Sequence, residues 1–128
     1  MIKLLEQYLG SINESIYNKK RPRAEGTELI TSVIQTFAKE NQFGFEREVF
    51  LGLTRKTNDY KGLIDIIIIK PDGTRYAIEI DSSNKKWSLE KLIHAHNIGY
   101  VPVWIRWHTK IKIEIPKHIN LINLIKGK

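Results

Sequence analysis

The 128-residue sequence contains no cysteine and four prolines. Without cysteine the chain cannot form disulfide bonds, thiolate zinc sites or a cysteine nucleophile. No segment approaches the roughly 18 consecutive apolar residues of a membrane span, and the first residues lack the basic, apolar and small-residue order of a signal peptide. No glycine-rich phosphate loop, Ser-His-Asp set or dinucleotide fingerprint is present either. We therefore expect a cytoplasmic protein without a membrane partner, in which residues 1–128 form a single domain.

Positive charge exceeds negative charge in the sequence. It has 21 Lys and Arg residues against 14 Asp and Glu residues, which gives a net charge of +7. A basic chain favours a polyanionic partner, most simply nucleic acid. Two basic segments suit phosphate contacts, although both would serve equally well as solubilising loops. Their candidate nucleic-acid-binding residues are Lys19, Lys20, Arg21, Arg23, Arg55 and Lys56.

Hydrophobic periodicity predicts an α/β protein with the order α-α-β-β-β-α-β-β-α. Pro71-Asp72-Gly73 is a tight-turn sequence, so the strands on either side of it should form a hairpin. Ser82 or Ser83 could cap the helix that follows. The predicted helices cover residues 2–17, 25–40, about 84–99 and 117–125, and the predicted strands cover 45–53, 62–70, 75–81, 101–107 and 110–115.

Acidic residues interrupt two of the most apolar predicted strands. Asp65 lies within Leu63-Ile64-Asp65-Ile66-Ile67, and Glu79 lies within Ala77-Ile78-Glu79-Ile80. Ionised carboxylates are seldom buried unless they are paired or bind a metal. Asp81 is two residues beyond Glu79, so both side chains should lie on one face of that strand. Such oxygen ligands suit Mg²⁺ or Mn²⁺, whereas carboxylates at a solvated sheet edge would need no metal.

This arrangement, Asp65 before a hairpin and Glu79-Ile80-Asp81 after it, resembles the PD-(D/E)xK nuclease superfamily. The resemblance covers about residues 25–107 and implies a restriction endonuclease-like αβββαβ core, a mixed sheet flanked by helices. Outside that core we expect an extra N-terminal helix and a C-terminal strand and helix. The resemblance also implies a metal site formed by Asp65, Glu79 and the Ile80 carbonyl. Glu28, in the helix before the first strand, matches the position of an additional family glutamate, which implies that it contacts the metal through water or binds a second ion.

The sequence departs from the family pattern where Asp81 replaces the lysine of the acidic-x-Lys triplet. A Glu-x-Asp triplet on this strand is similar to the very-short-patch repair endonuclease-like branch, and also to the RNA-binding RAP domain. We expect Lys85 or Lys86 to supply the missing charge, since Lys91 lies two to three turns into the predicted helix. The same lysines would otherwise form an ordinary solvated helix end.

The resemblance implies a Mg²⁺-dependent DNA endonuclease, with Mn²⁺ as an alternative ion and Asp65, Glu79, Asp81, Lys85 and Lys86 as candidate catalytic residues. RNA is an alternative substrate. A catalytically inactive nucleic-acid-binding module on the same fold is the main rival hypothesis. A third is a subunit of a larger nuclease complex, and the chain could also form a homodimer or need a partner subunit for specificity.

The remaining candidates have ordinary structural explanations. His94 and His96 are two residues apart on a predicted helix, so they should face different directions and chelate one metal poorly. Trp104 and Trp107 on the fourth strand could stack on bases. Packing in the core is the expected role for at least one of them.

Overall fold

The computed structural model describes residues 1–10, 23–55, 57 and 59–124. The end of the first predicted helix and the predicted phosphate-binding residues Lys19, Lys20, Arg21 and Lys56 lie outside these ranges. Three helices and five strands form the described part, which confirms the α/β class. Their bounds are α1 (Ile2–Gly10), α2 (Arg23–Glu40), β1 (Gly44–Thr54), β2 (Lys61–Ile69), β3 (Arg75–Asp81), α3 (Lys86–Asn97), β4 (Val101–Arg106) and β5 (Asn120–Asn123).

The five strands form one mixed sheet in the order β1-β2-β3-β4-β5. Strand β2 runs antiparallel to both β1 and β3, whereas β4 runs parallel to β3 and β5 runs parallel to β4. The predicted hairpin of β2 and β3 is confirmed. Its turn is closed by the Lys70 amide, which donates to the Thr74 carbonyl at 2.9 Å, and Gly73 has the positive φ of 93° that glycine adopts readily.

Helices cover both faces of the sheet and bury a core on each side. On one side, side chains of α1 and α2 such as Leu5 and Phe37 pack on Ile78 and its neighbours. On the other side, α3 packs through residues such as Leu92 against Trp104. Of the helices that the structure describes, none is long and apolar enough to cross a membrane.

The indole of Trp107 packs closely against α2. A Cβ atom added at Gly26 would lie 2.3 Å from a ring carbon of Trp107, so only glycine permits this approach. Trp107 and Trp104 are 2% and 0% exposed. Both tryptophans therefore belong to the core, and neither is available for base stacking.

The C-terminal predictions were wrong. Residues 110–115, all of them described, are not paired in the sheet, although their exposure alternates as predicted. The alternation arises because Ile113 and Ile115 pack against the α3 side of the core while the side chains between them face solvent. Within the described range, the predicted helix over 117–125 is replaced by β5, whose Ile122 is fully buried. The spacing of its apolar residues fits either structure, and the open edge of β4 selects the strand.

The start of α3 also differs from the prediction. The helix begins at Lys86, and Lys85, rather than Ser82 or Ser83, is the residue before it. Four residues, 82–85, therefore separate β3 from the helix in an irregular segment. The buried guanidinium of Arg106 holds this segment in place. It donates to Asn84 Oδ1 at 3.2 Å and to the Thr109 carbonyl at 2.8 Å.

Candidate functional site

The regular alternation of side chains between the two faces of the sheet is interrupted in strand β2 at Asp65. Ile66 and Ile68 pack in the core beneath α1 and α2. Ile64 should share their face in a regular strand, where side chains alternate with a period of two. It packs instead in the core beneath α3. The backbone therefore turns about its own axis between Ile64 and Ile66, and Asp65 is the residue in between.

Strand β1 makes the matching change at Glu48. Arg47 pairs with Glu28 of α2, while Val49 packs beneath α3. Glu48 lies between them with a φ of 53°, a left-handed conformation that is costly for a residue with a Cβ. The register of the flanking pairs places Glu48 directly across from Asp65. The two irregularities thus form one structural feature, which turns the ends of β1 and β2 away from the rest of the sheet.

Two carboxylates replace the backbone ladder where β2 and β3 separate. The paired residues run from Ile69 and Arg75 to Ile66 and Ile78. Beyond this point the Asp65 amide donates to Glu79 Oε2, and the Ile80 amide donates to Asp65 Oδ2, each at 2.8 Å. Each side chain thus accepts a hydrogen bond from the backbone of the opposite strand. The exchange satisfies two amides at the strand ends and fixes both carboxylates side by side.

Lys91 of α3 completes this group. Its ammonium lies 2.8 Å from Glu79 Oε1 and donates to the Leu63 carbonyl at 2.8 Å. The side chains of Lys91 and Glu79 are 11% and 2% exposed, so the pair is largely shielded from water. Gly62 makes room for it: a Cβ there would lie 3.1 Å from Lys91 Cγ and 3.0 Å from the Trp87 ring. The absence of a side chain at Gly62 lets α3 approach β2.

The electrostatics of the group favour an additional cation. Burial, and then the negative charge of Asp65, raise the pKa of Glu79 to about 7, although Lys91 acts in the opposite direction. Burial likewise raises the pKa of Asp65, against the Ile80 amide and the Lys91 charge, which lower it. Two buried carboxylates with one buried lysine hold protons more tightly than free carboxylates do. A positive ion at this position would take the place of the retained proton.

Asp81 is buried beside these two carboxylates but is held by other partners. The Trp104 indole donates to its Oδ2 at 2.8 Å, and the exposed ammonium of Lys85 lies 3.8 Å from its Oδ1. Arg106 donates to its backbone carbonyl at 3.1 Å. Asp81 therefore joins the end of β3 to the core. Its negative charge is close enough to raise the pKa of Asp65 further.

An open cleft of about 440 Å³ gives access to the carboxylates. It lies between the ends of β1 and β2, the start of α2 and the first turns of α3. Five of the residues predicted for the site line it: Asp65, Glu79, Ile80, Asp81 and Lys85. The other lining residues are Thr27, Glu48, Tyr60, Lys61, Leu63, Ser82, Trp87, Ser88 and Lys91.

The other predicted site residues lie elsewhere. Glu28 is 61% exposed and forms an ion pair with Arg47 at 2.9 Å, outside the lining of the cleft. Lys86 lines two other depressions, one of which it shares with Arg55 and Trp87. Arg23 is exposed at the first position of α2. The structure therefore brings Asp65, Glu79 and Asp81 together and separates Glu28 and Lys86 from them.

Sequence reasoning missed two residues of the cleft. It ranked Lys91 below Lys85 and Lys86, but Lys91 is the lysine that contacts Glu79. Because α3 begins at Lys86, Lys91 lies in the second helical turn rather than the third. Glu48 carried no signal, since it sits among the polar residues of an exposed strand segment and its position depends on the register with β2.

Histidines contribute little to this site. His94 bonds through Nε2 to the Leu51 carbonyl at 2.9 Å, and the His96 ring stacks on His118 at 4.6 Å. The two thus face different ways, as predicted. Among the described residues, no group of three or more His, Asp or Glu side chains is arranged to hold a metal ion. Mg²⁺ needs only one or two carboxylates, because waters and substrate phosphates complete its shell, and the pair Asp65 and Glu79 meets that requirement.

Comparison of the chain with protein-family models, with curated proteins and with solved structures finds no match.

Proposed function

We propose that the protein is a metal-dependent nuclease that hydrolyses phosphodiester bonds of DNA, on a restriction endonuclease-like core spanning about residues 25–107. The observation that carries this proposal is the reciprocal exchange between Asp65 and Glu79 beside Lys91, at the floor of an open cleft. It gathers acidic oxygens, a buried cation and space for a substrate in one place. The order of elements from α2 to β4, α-β-β-β-α-β, agrees with the resemblance in the sequence.

The donor set fits a magnesium or manganese ion. Asp65 accepts the Ile80 amide through Oδ2, which leaves Oδ1 for an ion, whereas Glu79 accepts the Asp65 amide through Oε2 and contacts the Lys91 ammonium through Oε1. A carboxylate oxygen has more than one lone pair, so Glu79 Oε1 can bind an ion and Lys91 together. The resemblance adds the carbonyl of Ile80, a residue that lines the same cleft. An ion held there would supply Lewis-acid stabilisation of the phosphate and lower the pKa of a bound water.

The side chains of the chain itself supply the rest of the proposed chemistry. Lys91 is fixed by Glu79 and the Leu63 carbonyl, so its charge can stabilise a phosphate without reorganisation during the reaction. It would thereby take the part of the lysine that Asp81 replaces. Lys61 and Lys85 line the cleft nearer to solvent and can neutralise neighbouring phosphates of the bound strand.

A binding module without catalysis is the second candidate, and one contact favours it. Lys91 already neutralises Glu79 at 2.8 Å, as it could in a protein that holds no metal. Even so, a surface that only binds phosphate gains nothing from three carboxylates facing its ligand, because negative charges repel one another. The enzyme is therefore the better proposal.

The test is cleavage of plasmid, linear, branched and single-stranded DNA, and of RNA, with Mg²⁺, with Mn²⁺ or with EDTA. Asp65→Asn, Glu79→Gln and Lys91→Met proteins are compared with the wild type. Glu28→Gln is the matched control, because Glu28 is an acidic residue outside the cleft. The proposal expects metal-dependent cleavage that the first three substitutions reduce by about 100-fold or more and the control leaves intact. Metal-independent binding without cleavage of any substrate would refute the enzyme and support the binding module.

A further inference from the structure

An exposed apolar patch borders the cleft on the ends of β1 and β2. We call these ends, residues 49–54 and 60–63, the arm. Within the described part of the chain, six large hydrophobic side chains are exposed, and three belong to the arm: Phe50 at 42%, Tyr60 at 63% and Leu63 at 38%. Phe50 lies directly across from Leu63 in the strand register, so the two side chains share one face. Half of the exposed large apolar side chains are thus concentrated beside the candidate site.

The arm is continuous with the cleft. Tyr60 and Leu63 both line the cleft, and Leu63 is two residues before Asp65 on β2. The end of the arm is held in place by the Arg55 amide, which donates to the Tyr60 carbonyl at 2.9 Å. A ligand that reaches Asp65 across the arm would therefore pass over these apolar side chains.

Cations accompany the aromatic rings of this region. The Lys61 ammonium lies 5.3 Å from the centre of the Phe50 ring, and the Arg55 guanidinium lies 4.6 Å from the centre of the Trp87 ring. Trp87 packs against the arm at Gly62, where an added Cβ would lie 3.0 Å from the Trp87 ring. Each of these cations is exposed and can turn toward a phosphate while its aromatic neighbour offers a flat face to a base. An apolar protein partner would gain little from lysine and arginine at these positions, whereas a nucleic acid gains from both.

We propose that the arm binds unpaired bases, so that the substrate of the cleft is single-stranded nucleic acid or an unpaired segment beside a duplex. This inference rests on the proposed function and names its substrate class. In a duplex the faces of the bases are stacked on one another and cannot meet a ring, whereas an unpaired base exposes them. Phe50 and Tyr60 supply the stacking surfaces, and Lys61 and Arg55 contact the adjoining phosphates.

The experiment measures binding in EDTA, so that no cleavage occurs, by fluorescence anisotropy of labelled DNA. Three probes of one length are compared: a single strand, its duplex and a strand of abasic sites. Phe50→Ala and Tyr60→Ala proteins are compared with Phe50→Trp, which keeps a ring. The control is Ile98→Ala, an equally exposed apolar residue at the opposite end of α3. Thermal unfolding of each variant verifies that it is folded.

Loss of one stacked base predicts about 5- to 150-fold weaker binding of the single strand for Phe50→Ala or Tyr60→Ala. Phe50→Trp and Ile98→Ala should bind as the wild type does. The abasic strand and the duplex should bind all folded variants equally, since neither offers an unpaired base. Equal affinity of wild type and alanine variants for the single strand would overturn the inference, and so would an equal loss on the abasic probe.

The two proposals fail separately. Binding that depends on Phe50 and Tyr60, together with an absence of cleavage in Mg²⁺ or Mn²⁺, would refute the nuclease and keep the arm as a base-binding surface. Cleavage that requires Asp65, together with binding indifferent to both rings, would keep the nuclease and refute the arm. A protein that binds none of the probes and cleaves no substrate in Mg²⁺ or Mn²⁺ would refute both.

Discussion

Replacing Lys91 with methionine tests whether the candidate site is electrostatically coupled as its geometry indicates. The substitution keeps most of the side-chain volume and removes the charge. At 2.8 Å from Glu79 Oε1 the ammonium attracts a carboxylate by about 6 kcal/mol at an effective dielectric constant of about 20, before the cost of desolvation. A variant that retained the Glu79 charge would bury it without a partner. Glu79 can avoid this by keeping a proton, and the loss of folding stability that this protonation causes depends on the pH of the experiment.

The pKa of Glu79 sets the size of the effect. Because its pKa is raised from an ordinary value of 4.5 to about 7, the folded wild type binds more protons than the unfolded chain between those values. Wild-type stability should therefore fall by about 3 kcal/mol as pH rises through this window and level off above pH 7. Without Lys91 the pKa rises further and the decline continues. The loss of stability relative to the wild type should therefore be about 2 kcal/mol larger at pH 8.5 than at pH 5.5.

Urea unfolding in EDTA at pH 5.5 and pH 8.5 measures this difference. At pH 5.5 the variant should lose about 1 kcal/mol, for the hydrogen bond to the Leu63 carbonyl. Lys85→Met is the control, since Lys85 is 63% exposed and 3.8 Å from Asp81. Its loss should be small at both pH values. A Lys91→Met deficit that stays constant with pH, or that persists unchanged in a Glu79→Gln background, would refute the coupling.

Three further predictions concern the neighbouring structure. Gly26→Ala should destabilise the fold by about 1–3 kcal/mol in urea, because its Cβ would lie 2.3 Å from the Trp107 ring; Gly10→Ala, with nothing within 4 Å, should not. Calorimetry should find that Mn²⁺ affinity rises about tenfold per pH unit below pH 7 and levels off above it, since the ion must displace the Glu79 proton; pH-independent affinity would contradict this. Glu48→Gly should be more stable than Glu48→Ala by about 1 kcal/mol, because only glycine adopts its φ of 53° without strain; the opposite order would show that this backbone is unstrained.

The central hairpin and its carboxylates could be predicted because their signals are local. Pro71-Asp72-Gly73 specifies a tight turn between two apolar runs, and the turn fixes which residues of the strands lie opposite one another. Asp65 and Glu79 are equidistant from that turn in the register, so their proximity follows from counting. An acidic residue within an isoleucine-rich strand is conspicuous in the sequence for the same reason that it is costly in the fold.

The C-terminal segment could not be predicted, because its structure depends on distant partners. The alternation over residues 110–115 is genuine, but α3 rather than another strand covers the apolar side. The apolar residues of β5 suit a helix or a strand, and the parallel pairing of Val103 with Asn120 is a contact that no local pattern contains. Short segments of this kind take the structure that the exposed edge of the sheet offers them.

The cleft required long-range information as well. Glu48 reaches the site through the register of β1 on β2, and its left-handed backbone has no glycine to mark it in the sequence. Lys91 reaches it because Gly62 lets α3 approach β2. The missing side chain of Gly62 and the long side chain of Lys91 are recognised as complementary only once the strand and the helix have been placed in space. Periodicity analysis treats them as unrelated.

The carboxylates that would hold a metal also hold the ends of two strands, and this limits what a mutation can show. Alanine at Asp65 removes the acceptor of the Ile80 amide together with the charge, so lost activity and lost structure would be confounded. A carboxamide keeps one acceptor oxygen, but Glu79 receives two donors, the Asp65 amide and the Lys91 ammonium. In Glu79→Gln the new NH₂ group must face one of them. Asp65→Asn can direct its oxygen at the Ile80 amide and its NH₂ group elsewhere, so this substitution separates the charge of the site from its architecture.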